Sequence, residues 1–234
     1  MELLYEGKAK QVFNTEAEDE VIIQFKDDAT AFNGEKKHTF SGKGKANLAF
    51  TRHFFNILKA EGVKTHIISF IDDTSLKAKK VQIIPIEVVI RNYAAGSICK
   101  REGFEKGHKF EQPLCEFFLK DDSKGDPLLS ENEILETGLA TNNEVIEIKT
   151  QALRVNSILS SFLSNNNITL VDFKLEFGKT QNGEILLADE ISPDTCRFWI
   201  KGTIESLDKD VYREDKGDLV SSYLRLAKIL GVEA

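Results

Sequence analysis

The chain has 234 residues, a formal net charge of −7, 41% hydrophobic residues and 29% charged residues. This composition is typical of an ordered globular protein with one domain or two small ones. The chain has no apolar run near the ~20 residues of a membrane span and no evident signal peptide, so we expect a cytoplasmic protein without membrane partners. Its net negative charge argues against nucleic-acid partners.

Residues 1–82 are predicted to form a small β-rich lobe with one helix. Short β-prone runs at 3–5, 10–13 and 21–25 are separated by turn residues. Apolar residues at helical spacing then predict a helix over 41–61, which Gly62 would end. Further strands are predicted at 65–71 and 81–84.

A glycine followed by two lysines separates the first two predicted strands. Gly7 would let the backbone approach a phosphate, and Lys8 and Lys10 would supply positive charge. The motif is neither a Walker loop nor a G-x-G-x-x-G motif, so an ordinary basic hairpin remains an alternative.

Residues 83–234 are predicted to form a larger α/β lobe, with the functional cleft between the two lobes. Pro85 is interpreted as a hinge, because proline cannot donate to a central strand ladder. A capping box beginning at Ser130 predicts a helix start. The other predicted elements are a strand at 87–91, a loop-rich stretch at 103–125, a helix at 142–164, a strand pair within 168–191 and an amphipathic helix at 218–230.

The strand at 87–91 ends in a turn of small residues. Strand alternation places Glu87 and Arg91 on one face. Backbone amides around Gly96 and Ser97, with the Arg91 guanidinium nearby, would suit a phosphate or carboxylate. A structural ion pair beside a turn is the alternative interpretation.

The segment at 168–178 has apolar residues on one face and Asp172, Lys174 and Glu176 on the other. An Asn-Gly pair at 182–183 favours a two-residue hairpin turn, because both residues tolerate positive φ. With that turn, Glu176 lies directly opposite Asp189.

Two carboxylates at directly opposed positions have Cβ atoms about 4.5–5.5 Å apart and repel each other. They require a shared proton, a basic neighbour or a divalent cation. Magnesium fits, since it accepts one or two protein carboxylates together with phosphate oxygens. Solvated carboxylates, or neutralisation by Lys174, are the alternatives. A one-residue slip in register would move Asp189 to the other face.

The segment at 192–199 follows the second hairpin strand directly. It brings Asp194 and Arg197 to the same end of the sheet as Asp172. A plain surface turn is the alternative interpretation. The four motifs together favour a site for anionic ligands.

Six segments, in this order and spacing, closely resemble the phosphoribosylaminoimidazole-succinocarboxamide synthase (SAICAR synthetase) family: LLYEGKAKQVF, DDATAFNGEKK, EVVIRNYAAGSICKR, FFLKDDSKGDP, LVDFKLEFG and ADEISPDTCRFW. The resemblance covers nearly the whole chain. It implies a two-lobed α/β (α+β) fold related to ATP-grasp enzymes, with the nucleotide between the lobes. It also implies the ATP- and Mg²⁺-dependent joining of L-aspartate to carboxyaminoimidazole ribonucleotide in purine biosynthesis, by a homodimer.

The resemblance also implies roles for individual residues. Asp172 or Asp194 would accept a proton from the attacking ammonium, and the choice between them stays open. Asn33 stands where the family often has aspartate, and Asp126 is a loose candidate for the aspartate site. A small-molecule kinase and a non-catalytic nucleotide-binding regulator are the competing functions. The implied sites are Lys8, Lys10, Glu87 and Lys120 for ATP; Arg91, Ser97, Lys174 and Arg197 for the ribonucleotide; Glu176 and Asp189 for magnesium; and Asp172, Lys174 and Asp194 for catalysis.

Overall fold

The computed structural model describes residues 2–31 and 36–234, and the smaller of its two main sheets is built from residues 3–79. This sheet has five antiparallel strands in the order β1-β2-β3-β7-β6. The predicted strands at 3–5, 10–13 and 21–25 are confirmed. The strands of this part are β1 (Leu3–Glu6), β2 (Lys10–Asn14), β3 (Glu20–Phe25), β6 (Ile67–Phe70) and β7 (Ser75–Lys79), with a separate ribbon of β4 (Asp28–Ala31) and β5 (Lys36–Thr39).

The larger sheet has six strands and is centred on one long strand, β11 (Ile168–Lys179). On one side β11 pairs with β8 (Gln82–Tyr93). On the other side it pairs with β13 (Cys196–Ile200) through its first half and with β12 (Ile185–Ala188) through its last residues. The loop between β12 and β13 therefore lies beside the middle of β11, where the Lys174 N–H donates to the Thr195 carbonyl at 2.9 Å. The remaining strands are β9 (Lys109–Leu119) and β10 (Leu128–Leu129).

Three long helices cover the apolar face of the larger sheet. They are α1 (Lys43–Ala60), α4 (Asn142–Asn165) and α6 (Leu219–Leu230). Most of their buried apolar residues belong to one core with β8 and β11, while Leu48 of α1 packs in the core of the smaller sheet. All three were predicted. Within the described ranges, no helix is both long and apolar enough to cross a membrane. The short helices are α2 (Ser97–Glu102), α3 (Glu131–Glu136), which begins with the predicted capping box, and α5 (Asp210–Arg213).

The amphipathic helix α6 turns its apolar side into the chain's own core. Tyr223 and Leu226 on this helix are fully buried. This apolar face is therefore already covered and is not free to form a subunit interface.

Two predictions for the larger lobe are wrong. The predicted hinge at Pro85 is absent, because β8 runs through this residue without a break. The pairing of β8 with β11 is irregular between Glu87 and Ile83, so no ladder hydrogen bond from Pro85 is needed there. The Pro85 carbonyl still accepts the Lys120 N–H at 3.1 Å. The stretch at 103–125 also contains an eleven-residue strand, β9. The predicted division at residue 82 falls between β7 and β8, but whether the two parts are separate domains stays a prediction.

The predicted hairpin register is also wrong by one residue, because Glu176 pairs with Ala188 and not with Asp189. The Gly183 N–H donates to the Thr180 carbonyl at 2.9 Å, and Gly183 has φ +81°. A turn of this kind adds a left-handed glycine after the tight turn and so lengthens the loop beyond two residues.

Candidate active site

A cavity of about 690 Å³ lies between the two sheets and is lined by residues of both. All the residues that were predicted for ATP, ribonucleotide, metal and catalysis line this one cleft. Asp126 lines it too, and its carboxylate accepts the Asp121 N–H at 3.0 Å. Asn33 lies outside the described residues. The arrangement brings the predicted set together, while the role of each residue stays a prediction.

At one end of the cleft, two arginines meet one carboxylate. Asp172 on β11 lies directly opposite Arg91 on β8 and beside Arg197 on β13. Arg91 Nη1 donates to Asp172 Oδ2 at 2.8 Å, and Arg197 Nη1 donates to both oxygens, at 2.9 and 3.0 Å. We call these three residues the arginine cluster. The planar guanidiniums match the geometry of phosphate and carboxylate oxygens, which suits a bound anion.

Further partners fix the orientation of both arginines. Arg91 Nε donates to Glu116 at 2.5 Å, and its Nη2 donates to Ser97 Oγ at 3.4 Å. Arg197 Nε donates to Asp210 at 2.7 Å. Burial by itself would lower the pKa of Arg197, but Asp172 and Asp210 outweigh it and raise that pKa. The Arg197 guanidinium therefore stays charged, and both guanidiniums are held in place.

At the other end of the cleft, lysines neutralise a group of carboxylates. Lys174 Nζ lies 2.5 Å from Glu176, 3.0 Å from Glu87 and 3.6 Å from Asp189. Lys120 Nζ lies 2.7 Å from the same Glu176 oxygen. Lys174 therefore neutralises the facing carboxylates, which is one of the alternatives that the sequence left open. We call Lys10, Lys120, Lys174, Glu87, Glu176, Asp189 and Glu190 the lysine cluster.

Asp189 reaches this cluster by an unusual backbone conformation. In a regular strand the observed register would turn its side chain to the opposite face from Glu176. Asp189 instead has φ +58°, in the left-handed region that aspartate tolerates better than most residues. This break in alternation explains how the two carboxylates come to share Lys174 although the predicted register was wrong.

Lys10 connects the small sheet to the larger one across the cleft. From β2 it contacts Asp189 and lies 2.7 Å from Glu190 Oε1. Burial by itself would lower the pKa of Lys10, but Asp189 and Glu190 outweigh it and raise that pKa. Burial would raise the pKa of Asp189, but Lys10 and Lys174 hold it well below its usual range. The pair is therefore fully charged.

The donor set at this end suits magnesium that is shared with phosphates. Within the described ranges there is no cluster of three or more His, Cys, Asp or Glu side chains that would hold a metal by itself. Glu176 and Asp189 offer two carboxylates, which is sufficient when phosphate oxygens complete the shell. Lys120 and Lys174 would have to change partners when such an ion binds.

Asp194 is anchored by residues that the sequence interpretation missed. Its carboxylate lies 2.6 Å from Lys43 Nζ and 3.8 Å from Lys209 Nζ, and it accepts the Tyr223 hydroxyl at 2.6 Å. Burial would raise the pKa of Asp194, but Lys209 and Lys43 hold it well below its usual range. Asp194 is therefore a firmly ionised, fixed carboxylate.

Lys43 is completely buried, although a lysine in the first turn of an amphipathic helix usually faces water. Its spacing could have predicted this burial, because Lys43, Phe50 and Phe54 fall on the same buried face of α1. Glu190 and His66 were also missed; both line the cleft and are almost fully buried.

Comparisons with known proteins identify similar proteins over nearly the whole chain. Residues 3–229 match the family model described as SAICAR synthetase. The phosphoribosylaminoimidazole-succinocarboxamide synthase of Coprothermobacter proteolyticus is 51% identical over 231 residues, which cover 99% of this chain and 98% of that protein. The crystal structure of the synthase from Ehrlichia chaffeensis superposes with a TM-score of 0.96 at 44% identity, over the whole of both chains. A type-2 SAICAR synthetase in complex with ADP superposes with a TM-score of 0.94 at 45% identity, over 98% of this chain and 97% of that one.

Proposed function

The chain belongs to the SAICAR synthetase family, and we propose that its cleft carries out the ATP-dependent joining of L-aspartate to 5-amino-1-(5-phospho-D-ribosyl)imidazole-4-carboxylate. The products are SAICAR, ADP and phosphate, in de novo purine biosynthesis. The observation that carries this proposal is the convergence of every predicted site residue on one cleft, in a chain matched by the family model over residues 3–229. The ADP complex of the similar synthetase supports a nucleotide in this cleft.

The reaction needs two chemical steps, because a carboxylate is a poor electrophile at neutral pH. An oxygen of the imidazole carboxylate attacks the γ-phosphorus of ATP, which forms an acyl phosphate and releases ADP. The amino nitrogen of L-aspartate then attacks the acyl carbon, and inorganic phosphate leaves. The protein contributes mainly by placing the reactants and neutralising their charge.

The lysine cluster supports the nucleotide end of this arrangement. Lys10 contacts carboxylates across the cleft, so its ammonium is positioned where phosphates would enter between the two sheets. Lys8 and Lys120 line the same cavity. Magnesium held by Glu176 and Asp189 would supply positive charge next to the transferring phosphoryl group.

The arginine cluster supports the ribonucleotide end. Arg91, Arg197 and Ser97 present fixed donors, and planar guanidiniums match the geometry of phosphate and carboxylate oxygens. Asp172 keeps the two guanidiniums together. Asp194 is held by three partners and has a depressed pKa, so it suits the orientation of a cationic group better than proton acceptance.

A coupled assay of ADP release tests the proposal directly. The full set of ATP, Mg²⁺, L-aspartate and the carboxyaminoimidazole ribonucleotide should give ADP and SAICAR in equal amounts. ADP release that needs the ribonucleotide but yields no SAICAR with aspartate present would instead indicate a kinase. ATP binding with no ADP formed under any combination would indicate a regulator.

The proposal also includes the cellular location and the oligomeric state of the protein. Purine biosynthesis implies a cytoplasmic enzyme, and a homodimer stays a prediction that a sedimentation experiment can test. The buried face of α6 is not available for such an interface, since Tyr223 and Leu226 pack into the core.

A further inference from the structure

His66 is held rigidly in the wall of the cleft. Its backbone N–H donates to the Leu187 carbonyl on β12 at 2.9 Å, and its carbonyl accepts the Lys79 N–H at the end of β7 at 2.8 Å. The residue is only 3% exposed, and its ring meets the Phe55 ring edge-on with centroids 6.0 Å apart. The imidazole is therefore fixed where the two sheets meet.

Neither ring nitrogen of His66 has a hydrogen-bond partner within residues 2–31 and 36–234. Buried polar atoms in native proteins are nearly always paired, so an unpaired group in a cleft wall indicates a missing partner. Among the described side chains with such atoms, only Asp194 and His66 line this cleft, and Asp194 has an ion pair with Lys43. Among the described residues, His66 is therefore the cleft side chain with unsatisfied polar atoms, and a bound ligand can supply the partner.

The protonation state of His66 defines what that partner must offer. Burial lowers the pKa of the imidazole to about 4. The ring is therefore neutral at pH 7, with one nitrogen that donates and one that accepts. A neutral ring is a weak ligand for phosphate when the Lys10 ammonium lies in the same cleft.

The lining of the cleft in which His66 lies suits a flat heterocycle. The cleft is also lined by aliphatic side chains from both sheets, among them Val12, Val21, Val81 and Ile83. Apolar walls with a few placed polar groups are the usual form of a small-molecule site. An aromatic base matches this combination, because its faces can pack against the aliphatic side chains and the polar atoms at its edge can hydrogen-bond to the neutral imidazole.

We propose that His66 recognises the purine base of the bound nucleotide, with its unprotonated ring nitrogen accepting a hydrogen bond from the exocyclic 6-amino group. This inference rests on the proposed function, because it requires ATP in the cleft. It assigns His66 as a determinant of base specificity that takes no part in the chemical steps.

The test compares ATP with purine riboside triphosphate, which lacks the 6-amino group, by equilibrium binding to the full-length protein. The wild type should bind ATP about three- to tenfold more tightly than the analogue, as expected for one hydrogen bond. His66→Phe should bind both nucleotides alike, and His66→Gln, which can still accept, should restore much of the preference. His53→Phe is the control, because His53 also has an unpaired buried nitrogen but packs against Phe54 and Phe162 outside the cleft.

The possible results of this binding experiment separate a failure of the His66 inference from a failure of the proposed function. An unchanged preference for ATP in His66→Phe would overturn the inference and leave the proposed function intact. If His66→Phe does not fold, His66→Leu gives the same comparison, and a wild type without any preference overturns the inference by itself. A wild type that binds neither nucleotide would contradict the proposed function.

Discussion

The arginine cluster and the lysine cluster stand at two ends of one cleft, yet the chain assembles them differently. Asp172 meets Arg91 and Arg197 because the three residues occupy paired positions on adjacent strands of the larger sheet. The hydrogen bonds of the sheet fix all three. In the lysine cluster, Lys10 comes from the other sheet, and Asp189 reaches it from a left-handed residue after β12.

The difference indicates what each end has to do. Planar guanidiniums on paired strands form a preorganised site, which suits an anion that binds in one orientation. Lysines have flexible stems and can exchange one carboxylate for another partner. The lysine cluster is therefore the end that can rearrange when nucleotide phosphates enter, and four substitutions examine this contrast.

The largest expected effect is the loss of ligation in Glu176→Ala. This change removes a proposed magnesium ligand, and we expect turnover to fall by about a thousandfold or more. The fold should persist, because Lys174 keeps Glu87 as a partner and Lys120 is partly exposed. Coupled ADP release and circular dichroism measure the two quantities.

The control for this change is Glu184→Ala on the same hairpin. Glu184 pairs with exposed Lys64 at 2.6 Å and does not line the cleft, so turnover should stay normal. Near-normal turnover of Glu176→Ala at low magnesium would contradict the metal assignment.

The second substitution, Asp172→Asn, tests whether the arginine cluster also carries stability. Removing one partner of a buried ion pair costs about 3–5 kcal/mol when the other charge is left uncompensated. Here Arg91 keeps Glu116 and Arg197 keeps Asp210, so we expect the lower part of this range. Asp172 is 3% exposed and serves two arginines. We expect a loss of this size in the free energy of unfolding, measured by urea denaturation.

The comparison is the same aspartate-to-asparagine substitution in the lysine cluster. Asp189→Asn should cost only about 1 kcal/mol, because the Asp189 side chain is 15% exposed, against 4% for Asp172, and its lysines keep Glu190 and Glu176. Equal losses at the two ends would show that the lysine cluster is as rigidly required for folding as the arginine cluster.

The arginine cluster was also the more predictable end. Alternation placed Asp172 on the charged face of β11 and Arg91 on one face of β8, and the observed pairing of Asp172 with Arg91 agrees with it. The strand β9 escaped prediction because Pro113 interrupts its weak alternation. Regular strands transmit their register over many residues, so local patterns suffice there.

The lysine cluster depends on features that local patterns do not encode. The length of the turn at 180–184 and the positive φ of Asp189 decide which face each carboxylate occupies. The burial of Lys43 and His66 depends on partners far along the chain. Only the family resemblance brought Lys10 and Asp189 into one site before the structure did.

The third substitution, Gly96→Ala, tests the packing of the arginine cluster. A Cβ at Gly96 would lie 2.5 Å from Arg197 Nη2, so the guanidinium would have to move. We expect KM for the ribonucleotide to rise about tenfold, roughly the loss of one charge-assisted hydrogen bond, with KM for ATP little changed. Steady-state kinetics with each substrate varied measures this.

The matched control is Gly103→Ala. Gly103 also has positive φ, at +76°, but a Cβ there meets nothing within 4 Å. Both variants place alanine at positive φ, but Gly96 has ψ −129° against +14° for Gly103, so Gly96→Ala carries the larger backbone strain and also crowds Arg197. An equal rise in KM for the two variants would attribute the effect to strain in the backbone.

The smallest expected effect concerns the backbone of the lysine cluster, through a comparison of Asp189→Ala with Asp189→Asn. Both changes remove the charge that Lys10 and Lys174 contact, so the electrostatic loss cancels in the comparison. Asparagine tolerates the left-handed conformation at φ +58°, whereas alanine adopts it at a cost of about 1 kcal/mol. The alanine variant should therefore unfold at lower urea concentration. If the two variants unfold together, the backbone has relaxed once the carboxylate is gone, and the pairing with the lysines, not the turn, directs Asp189 into the cleft.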